Sequence, residues 1–222
     1  MGQDILGQIS VWALPVLVAI VFHEVAHGWV ANRLGDPTAA QMGRLTLNPI
    51  AHIDVVGTLL VPAMLIAMGG FVFGWAKPVP VNYSNLRNPR GDMVRVSLAG
   101  PGTNLLLALV SAMALQLILL SETSSQGFLS SYVLFPLAHM LNASVRINVL
   151  LAVFNILPIP PLDGSKVLMG FLPDEMAVQL ERLEPYGFII LVLLLVSGVL
   201  NVLLVPLIHL VYGILGAIVG IL

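Results

Sequence analysis

The sequence predicts an all-α polytopic membrane protein with about five to six membrane segments. Of its 222 residues, 58% are hydrophobic and only 9% are charged, whereas a soluble domain carries about a quarter charged residues. Apolar stretches of about 20 residues recur along the chain, which is the length that a helix needs to cross a bilayer. The lipid bilayer is therefore the expected environment of this chain.

Composition also excludes several function classes. The net charge is −2 and no basic face or tail is visible, so nucleic acid is not an expected partner. The chain contains no cysteine, which excludes disulfides, thiolate metal ligands and thiol catalysis.

Five apolar segments give the predicted organisation, and residues 1–222 are expected to form a single membrane-embedded domain. The segments fall at 11–34, 55–73, 93–120, 131–157 and 186–222. The first, third and fourth are expected to be membrane helices because each is long enough to span. The last carries Asn201 and Pro206 near its middle, which predicts two C-terminal membrane helices.

Segment 55–73 and the connections around it differ from these helices. The segment contains Gly57, Pro62, Gly69 and Gly70, and such breakers predict a re-entrant or broken element. The flanking connections, 35–54 and 74–92, are rich in Gly, Pro and Asn and contain short β-like runs, Arg44–Leu47 and Pro78–Val81.

The distribution of Lys and Arg predicts the orientation. Basic residues lie in or beside connections 35–54, 74–92 and 158–185, and the N-terminal tip and 121–130 have none. Because cytoplasmic loops carry the excess of Lys and Arg, the basic connections are expected in the cytoplasm and the N-terminus outside. Segment 55–73 must then enter the membrane and return on the same side.

The first apolar segment contains the motif His23-Glu24-Val25-Ala26-His27. Helix positions four apart lie on one face, so both imidazoles can reach one zinc ion while Glu24 can reach a water that the metal activates. Two helix histidines satisfied by neighbouring groups are the alternative. Ionisable residues deep in an apolar span are costly and usually functional, which favours the metal site.

A catalytic zinc site needs a third protein ligand. His52, His139 and His209 are the remaining histidines, but Asp163 follows a stretch in which three prolines interrupt a helix. Such an unwound stretch is tolerated at membrane depth where it lines a cavity or is buried in protein. On local sequence alone, an ordinary Asp-Gly turn at a helix end stays open as an alternative.

Three motifs in this order resemble the site-2 protease family of intramembrane metalloproteases. They are FHEVAHG on the first helix, SLAGPGTN at 97–104 and FNILPIPPLDG at 154–164. Stretches 43–62 and 73–82 look like the compact bacterial and archaeal branch, without a PDZ or CBS domain. The resemblance covers most of 15–172 and implies a catalytic core within 11–172 that is built on three helices.

The resemblance also implies roles for individual residues. It implies one catalytic zinc ion held by His23, His27 and Asp163, with Glu24 as the general base. It implies that Asn155 holds the substrate backbone or stabilises the oxyanion, with a packing hydrogen bond between helices as the alternative. Asn104 is expected either to face the site and bind substrate or to cap and pack its helix.

The expected substrate is a transmembrane segment of another membrane protein. Its helix must unwind to be cut, and the β-like run with Val79 and Val81 could pair with the extended chain. The sequence leaves two alternatives: a membrane metal-ion transporter and a catalytically inactive relative that binds membrane segments. The convergence of ionisable residues at one depth argues against a conduction path, and the presence of Glu24 argues against an inactive relative.

Overall fold

The computed structural model describes residues 2–67, 74–122 and 130–220, and this part of the chain is all-helical, without β-strands. The expected all-α fold is confirmed. The α-helices of the described residues are α1 (Gly2–Leu34), α2 (Thr38–Gln41), α3 (Val61–Ala67), α4 (Pro89–Glu122), α5 (Phe135–Asn155), α6 (Asp163–Phe171), α7 (Asp174–Glu181), α8 (Gly187–Val196) and α9 (Val199–Val219).

Four stretches of the described helices are long and apolar enough to cross a membrane. They are Ser10–Leu34, Pro89–Leu120, Tyr132–Asn155 and Val199–Val219. The chain is therefore a membrane protein, although the expected count of five to six membrane segments is not confirmed. Many large apolar side chains face outward along these helices, as expected where lipid and not water surrounds the protein.

The centre of the molecule is the bundle of α1, α4 and α5, which pack against one another. Several of the most buried residues in this bundle are alanines: Ala19, Ala31, Ala108, Ala112, Ala143 and Ala152. Helices in a membrane associate through close van der Waals packing, and small side chains let their backbones approach. The three helices expected near 11–34, 93–120 and 131–157 form this bundle.

The C-terminal segment forms two helices, α8 and α9, of which α9 is long and apolar enough to cross a membrane, and the break between them precedes both Asn201 and Pro206. Helix α8 ends at Val196, and the chain turns at Gly198, whose φ of +77° is a conformation that glycine adopts readily. Pro206 lies inside α9. A proline is tolerated in a membrane helix because neighbouring groups satisfy the freed carbonyl, so proline position alone misplaces the break.

The segment expected to be re-entrant is helical where it is described. A π-helix, Val55–Leu60, is capped by Asp54, whose Oδ1 accepts from the Gly57 amide at 2.6 Å, and it leads into α3. Residues 68–73 lie outside the described part of the chain. The 55–67 stretch is broken into two helical types, and whether it enters and leaves on one side stays a prediction.

Residues 74–82, called the strap below, form neither helix nor strand and pass beside α1 at Glu24 and Gly28. The β-like runs expected at 44–47 and 78–81 are not strands in the described structure. Arg44 Nη2 donates to the Lys77 carbonyl at 2.9 Å, and the Lys77 amide donates to the His52 carbonyl at 2.9 Å. Individual side-chain and turn contacts therefore hold the strap in place of a β-ladder.

The far end of the strap is fixed by Asp36, a fully buried residue just after α1. Its carboxylate accepts from the Asn82 amide at 2.7 Å and from Asn85 Nδ2 at 2.9 Å. Burial alone would raise the pKa of Asp36, but hydrogen bonds from Thr38, Asn85 and Asn82 outweigh it and lower the pKa. Asp36 is thus a charged anchor that ties the strap to the end of α1.

Candidate metal centre

Helix α1 brings the two histidines of the HExxH motif together on one face. The imidazole rings of His23 and His27 are edge-on, with centroids 4.7 Å apart, and their Nε2 atoms are separated by 3.0 Å. Both side chains are buried. The four-residue spacing on a helix is therefore enough to make two ring nitrogens converge on one point.

A glycine of α4 makes room for this pair. A Cβ built on Gly100 would overlap His27 Nε2 and would lie 2.5 Å from His23 Cε1. The α4 backbone consequently contacts the imidazoles directly, and any side chain at this position would displace them. The GPG sequence at 100–102 thus acts as part of the wall of the site.

Asp163 reaches the histidines from the first position of α6. Its Oδ2 lies 3.2 Å from His23 Nε2 and 3.2 Å from His27 Nε2. The turn before it is tight: a Cβ on Gly164 would overlap the Ile156 carbonyl oxygen. The proline-rich turn after α5 and the glycine after Asp163 together aim the carboxylate back at α1.

The hydrogen bonds of the other ring nitrogens fix the tautomers. His23 Nδ1 lies 2.6 Å from Asn104 Oδ1, and His27 Nδ1 lies 2.7 Å from the Val96 carbonyl oxygen. Asn104 Nδ2 donates to the Ala19 carbonyl at 3.1 Å, which sets the amide so that its oxygen faces His23. Both Nδ1 atoms therefore carry the proton, and both Nε2 atoms present lone pairs to the centre.

With both imidazoles in these neutral tautomers, three lone pairs face one another. Asp163 Oδ2 is buried and accepts no well-formed hydrogen bond from the described residues. A cation at the centre would satisfy all three atoms. In a tetrahedral site with ligand bonds of about 2.0–2.1 Å, neighbouring donor atoms lie about 3.3 Å apart, close to the 3.0, 3.2 and 3.2 Å measured here.

Within the described residues, His23, His27 and Asp163 are the group of three metal-ligand side chains whose donor atoms converge, all within 4.8 Å. Two imidazole nitrogens and one carboxylate oxygen match a donor set that catalytic zinc sites use, and such sites keep a fourth position for water or substrate. The residues therefore fit the zinc ion that the sequence predicts.

Glu24, next to His23 on α1, contacts the strap. Its Oε2 accepts a hydrogen bond from the Val79 amide at 2.7 Å, and the side chain is half-buried. Gly28, one turn along α1, allows this approach: a Cβ there would lie 2.6 Å from Leu45 Cδ2 and 2.7 Å from Val79 Cγ1. The strap therefore packs directly over the Glu24 side of α1.

Two other expected site residues, Asn104 and Asn155, have different hydrogen-bond partners. Asn104 is fully buried, and its amide is engaged by His23, Ala19 and Asn148, so it has no free polar atom for a substrate. Asn104 thus faces the site through His23 and also packs between helices, and its substrate-binding role stays a prediction. Asn155 Nδ2 donates to the Leu151 carbonyl of its own helix at 3.0 Å.

Sequence reasoning missed the polar chain that continues behind Asn104. Asn104 Nδ2 donates to Asn148 Oδ1 at 2.8 Å, and Asn148 Nδ2 donates to the Ser144 carbonyl at 2.9 Å. Ser144 Oγ lies 2.8 Å from Ser111 Oγ. An asparagine in an apolar span is a signal in itself, but the sequence does not show that it points toward His23.

Lys166 supplies positive charge beside the site. Its ammonium lies 5.2 Å from the centre of the Tyr83 ring, next to the end of the strap. Burial alone would lower the pKa of Lys166, but interactions with Tyr83, Glu184 and Asp163 outweigh it and raise the pKa. Lys166 therefore stays charged and links α6 to the strap segment.

Comparison with known proteins agrees with the motifs. The sequence model of peptidase family M50 matches residues 11–133. YwhC of Bacillus subtilis, which is named as a zinc metalloprotease, is 36% identical over 196 residues, covering 88% of this chain and 84% of YwhC. Rip2 of Mycolicibacterium smegmatis, named likewise, is 31% identical over 200 residues, covering 88% of this chain and 71% of Rip2. No solved structure matches the chain. The chain belongs to peptidase family M50, the site-2 protease family that its motifs resemble.

Proposed function

We propose that this protein is an intramembrane zinc metalloprotease that hydrolyses peptide bonds in or near transmembrane segments of other membrane proteins. The observation that carries the proposal is the convergence of two imidazole Nε2 lone pairs and one unsatisfied carboxylate oxygen, all buried in a membrane helix bundle. Residues 1–222 act as one protease domain, with the catalytic core in 11–172 and accessory membrane helices in 186–222.

In this proposal His23, His27 and Asp163 hold the zinc ion. Zinc in such a site lowers the pKa of water and polarises a carbonyl group. Glu24, one residue from a ligand, accepts the proton of the attacking water and returns it to the leaving amine. Asn155 can turn its amide from Leu151 toward the substrate carbonyl and donate to the developing negative charge.

The strap is the proposed partner of the unwound substrate. A transmembrane helix satisfies its own N–H and C=O groups, so each group freed by unwinding needs a new partner in hydrocarbon. In an extended form, the strap can offer its backbone around Val79 and Val81 for β-pairing. Its basic surroundings support a site that opens toward the cytoplasm, with the N-terminus outside.

Purified protein and a model transmembrane substrate in lipid nanodiscs test the proposed function. We expect cleavage that stops when zinc is removed by a chelator and returns when zinc is added back. A proteoliposome assay of zinc uptake runs in parallel. Zinc transport without cleavage, or substrate binding with neither activity, would overturn the proposal.

Val79→Pro and Val81→Pro separate two contributions of the strap. Val79→Pro removes the amide that donates to Glu24, and a hydrogen bond to a charged group contributes about 1.5–3 kcal/mol. We expect kcat to fall about ten- to a hundredfold with zinc content unchanged. Val81→Pro removes an amide that the proposal assigns to substrate pairing and the packing of Val81 on the Ala31, Leu86 and Val96 cluster, but no contact of Glu24, so we expect a higher KM with kcat preserved. Wild-type kinetics for both variants would contradict this.

Asn104→Ala tests the support of His23. Without the Oδ1 acceptor, the His23 ring loses its fixed tautomer, and loss of such a partner weakens metal affinity about 10- to 100-fold. We expect this loss in a zinc competition titration against a chelator of known affinity. Ser111→Ala, at the far end of the polar chain, is the matched control and should bind zinc like the wild type. Equal affinities for all three proteins would show that Asn104 only packs.

A further inference from the structure

A cavity of about 210 Å³ lies between α1, the strap and the 49–58 turn. Its walls are mainly apolar: Val16, Leu17 and Ile20 from α1 face Ile53 and the strap residue Ala76. The metal-centre residues do not line it, and neither the motifs nor the comparisons assign it a role. An apolar cavity of about 150 Å³ accepts a benzene-sized group, so this one has room for a leucine or phenylalanine side chain.

The cavity lies next to Glu24 along α1. Ile20 precedes Glu24 by four residues, so the two lie on the same face of α1, about 6 Å apart along the helix axis. On the opposite wall, Ala76 precedes Val79, whose amide contacts Glu24, by three residues. Both walls therefore run from Glu24 to the cavity, toward the N-terminal end of α1.

The spacing fits an extended substrate. An extended chain advances about 3.3 Å per residue and points alternate side chains to the same face. A substrate held with its scissile bond beside Glu24 consequently places a side chain about 6.6 Å away, two residues along, at the level of Ile20.

We propose that this cavity is the specificity subsite for one substrate side chain, two residues from the scissile bond on the side toward the N-terminal end of α1. It takes an aliphatic or aromatic side chain of leucine to phenylalanine size, because most of its walls are apolar and polar side chains, His52 and Thr58, line only part of it. The inference rests on the proposed function and deepens it by naming a feature of the substrate.

The subsite is tested with two substrates, which carry leucine or alanine at one position, and with a variant, Ala76→Leu, whose added side chain fills the cavity. The scissile bond of a model transmembrane substrate is first mapped by mass spectrometry, and leucine or alanine is then placed two residues away on either side. For one of the two positions, we expect the wild type to cleave the leucine form with a kcat/KM at least about tenfold higher. Ala76→Leu fills the cavity and should bring this ratio close to one by slowing the leucine form alone.

Two further variants make the result decisive. Ala217→Leu adds the same bulk on an exposed face of α9 and should keep the wild-type ratio. Ile20→Ala enlarges the cavity and should shift the preference from leucine to phenylalanine, which remains measurable if Ala76→Leu does not fold.

The possible failures are distinguishable. A ratio that is the same in wild type, Ala76→Leu and Ile20→Ala, with cleavage intact, overturns the subsite and leaves the protease proposal standing. A wild type that cleaves no substrate in the series overturns the proposed function, and the subsite with it.

Discussion

Glu24→Gln is expected to reduce peptide-bond cleavage by about a thousandfold while zinc stays bound at the wild-type stoichiometry. General acid–base catalysis contributes about 10²–10⁴-fold to rate. The glutamine oxygen can still accept the Val79 amide hydrogen bond at the position where Glu24 Oε2 accepts it at 2.7 Å. The substitution therefore removes the basic oxygen and keeps the side chain in place.

Cleavage of a transmembrane substrate and zinc content by mass spectrometry check this expectation together. Glu181→Gln makes the same chemical change at an exposed position of α7 and should be fully active. Residual activity of Glu24→Gln within tenfold of wild type would assign the proton transfer to another group. Loss of zinc from the variant would instead make Glu24 part of the metal site.

Gly100→Ala is expected to remove bound zinc and at least about 99% of cleavage. The added methyl group would overlap His27 Nε2 and crowd His23. Displacement of a reacting group by about 1 Å can cost a factor of 100 in rate, and here two ligands move at once. The change is otherwise favourable to α4, because alanine is the better helix former by about 1 kcal/mol.

Gly102→Ala is the matched control on the same helix. A Cβ on Gly102 has no atom within 4 Å, so this variant gains the helix propensity without the collision. We expect it to retain zinc and activity with equal or higher thermal stability. If both variants bind zinc equally in a competition titration, the packing of α4 against the imidazoles does not limit the site.

The sequence predicts the general plan because that plan follows from local rules. Hydrophobic length predicts the helices around 11–34, 93–120 and 131–157, and the periodicity of a helix predicts that His23 and His27 share a face. Asp163 could also be identified as a candidate from the sequence, because prolines and an Asp-Gly pair mark an unwound stretch in an apolar region.

Contacts between segments distant in sequence could not be predicted from the sequence. The Val79 amide meets Glu24 across 55 positions of sequence, and Asn148 meets Asn104 across 44. No periodicity or composition of either segment signals these pairs. The β-like runs were misleading for the same reason: an extended run becomes a strand only if a partner backbone pairs with it, and here Arg44 and Asp36 supply side-chain contacts instead.

The two imidazoles of the candidate metal centre are supported by acceptors of different kinds. His23 relies on a side chain, Asn104, whereas His27 relies on the main-chain oxygen of Val96. Substitutions at residue 96 leave that oxygen in place, so saturation mutagenesis would reveal the support of the first imidazole and overlook that of the second. A substitution of Asn104 can therefore remove the support of His23, whereas the support of His27 depends on the backbone and not on the identity of a side chain.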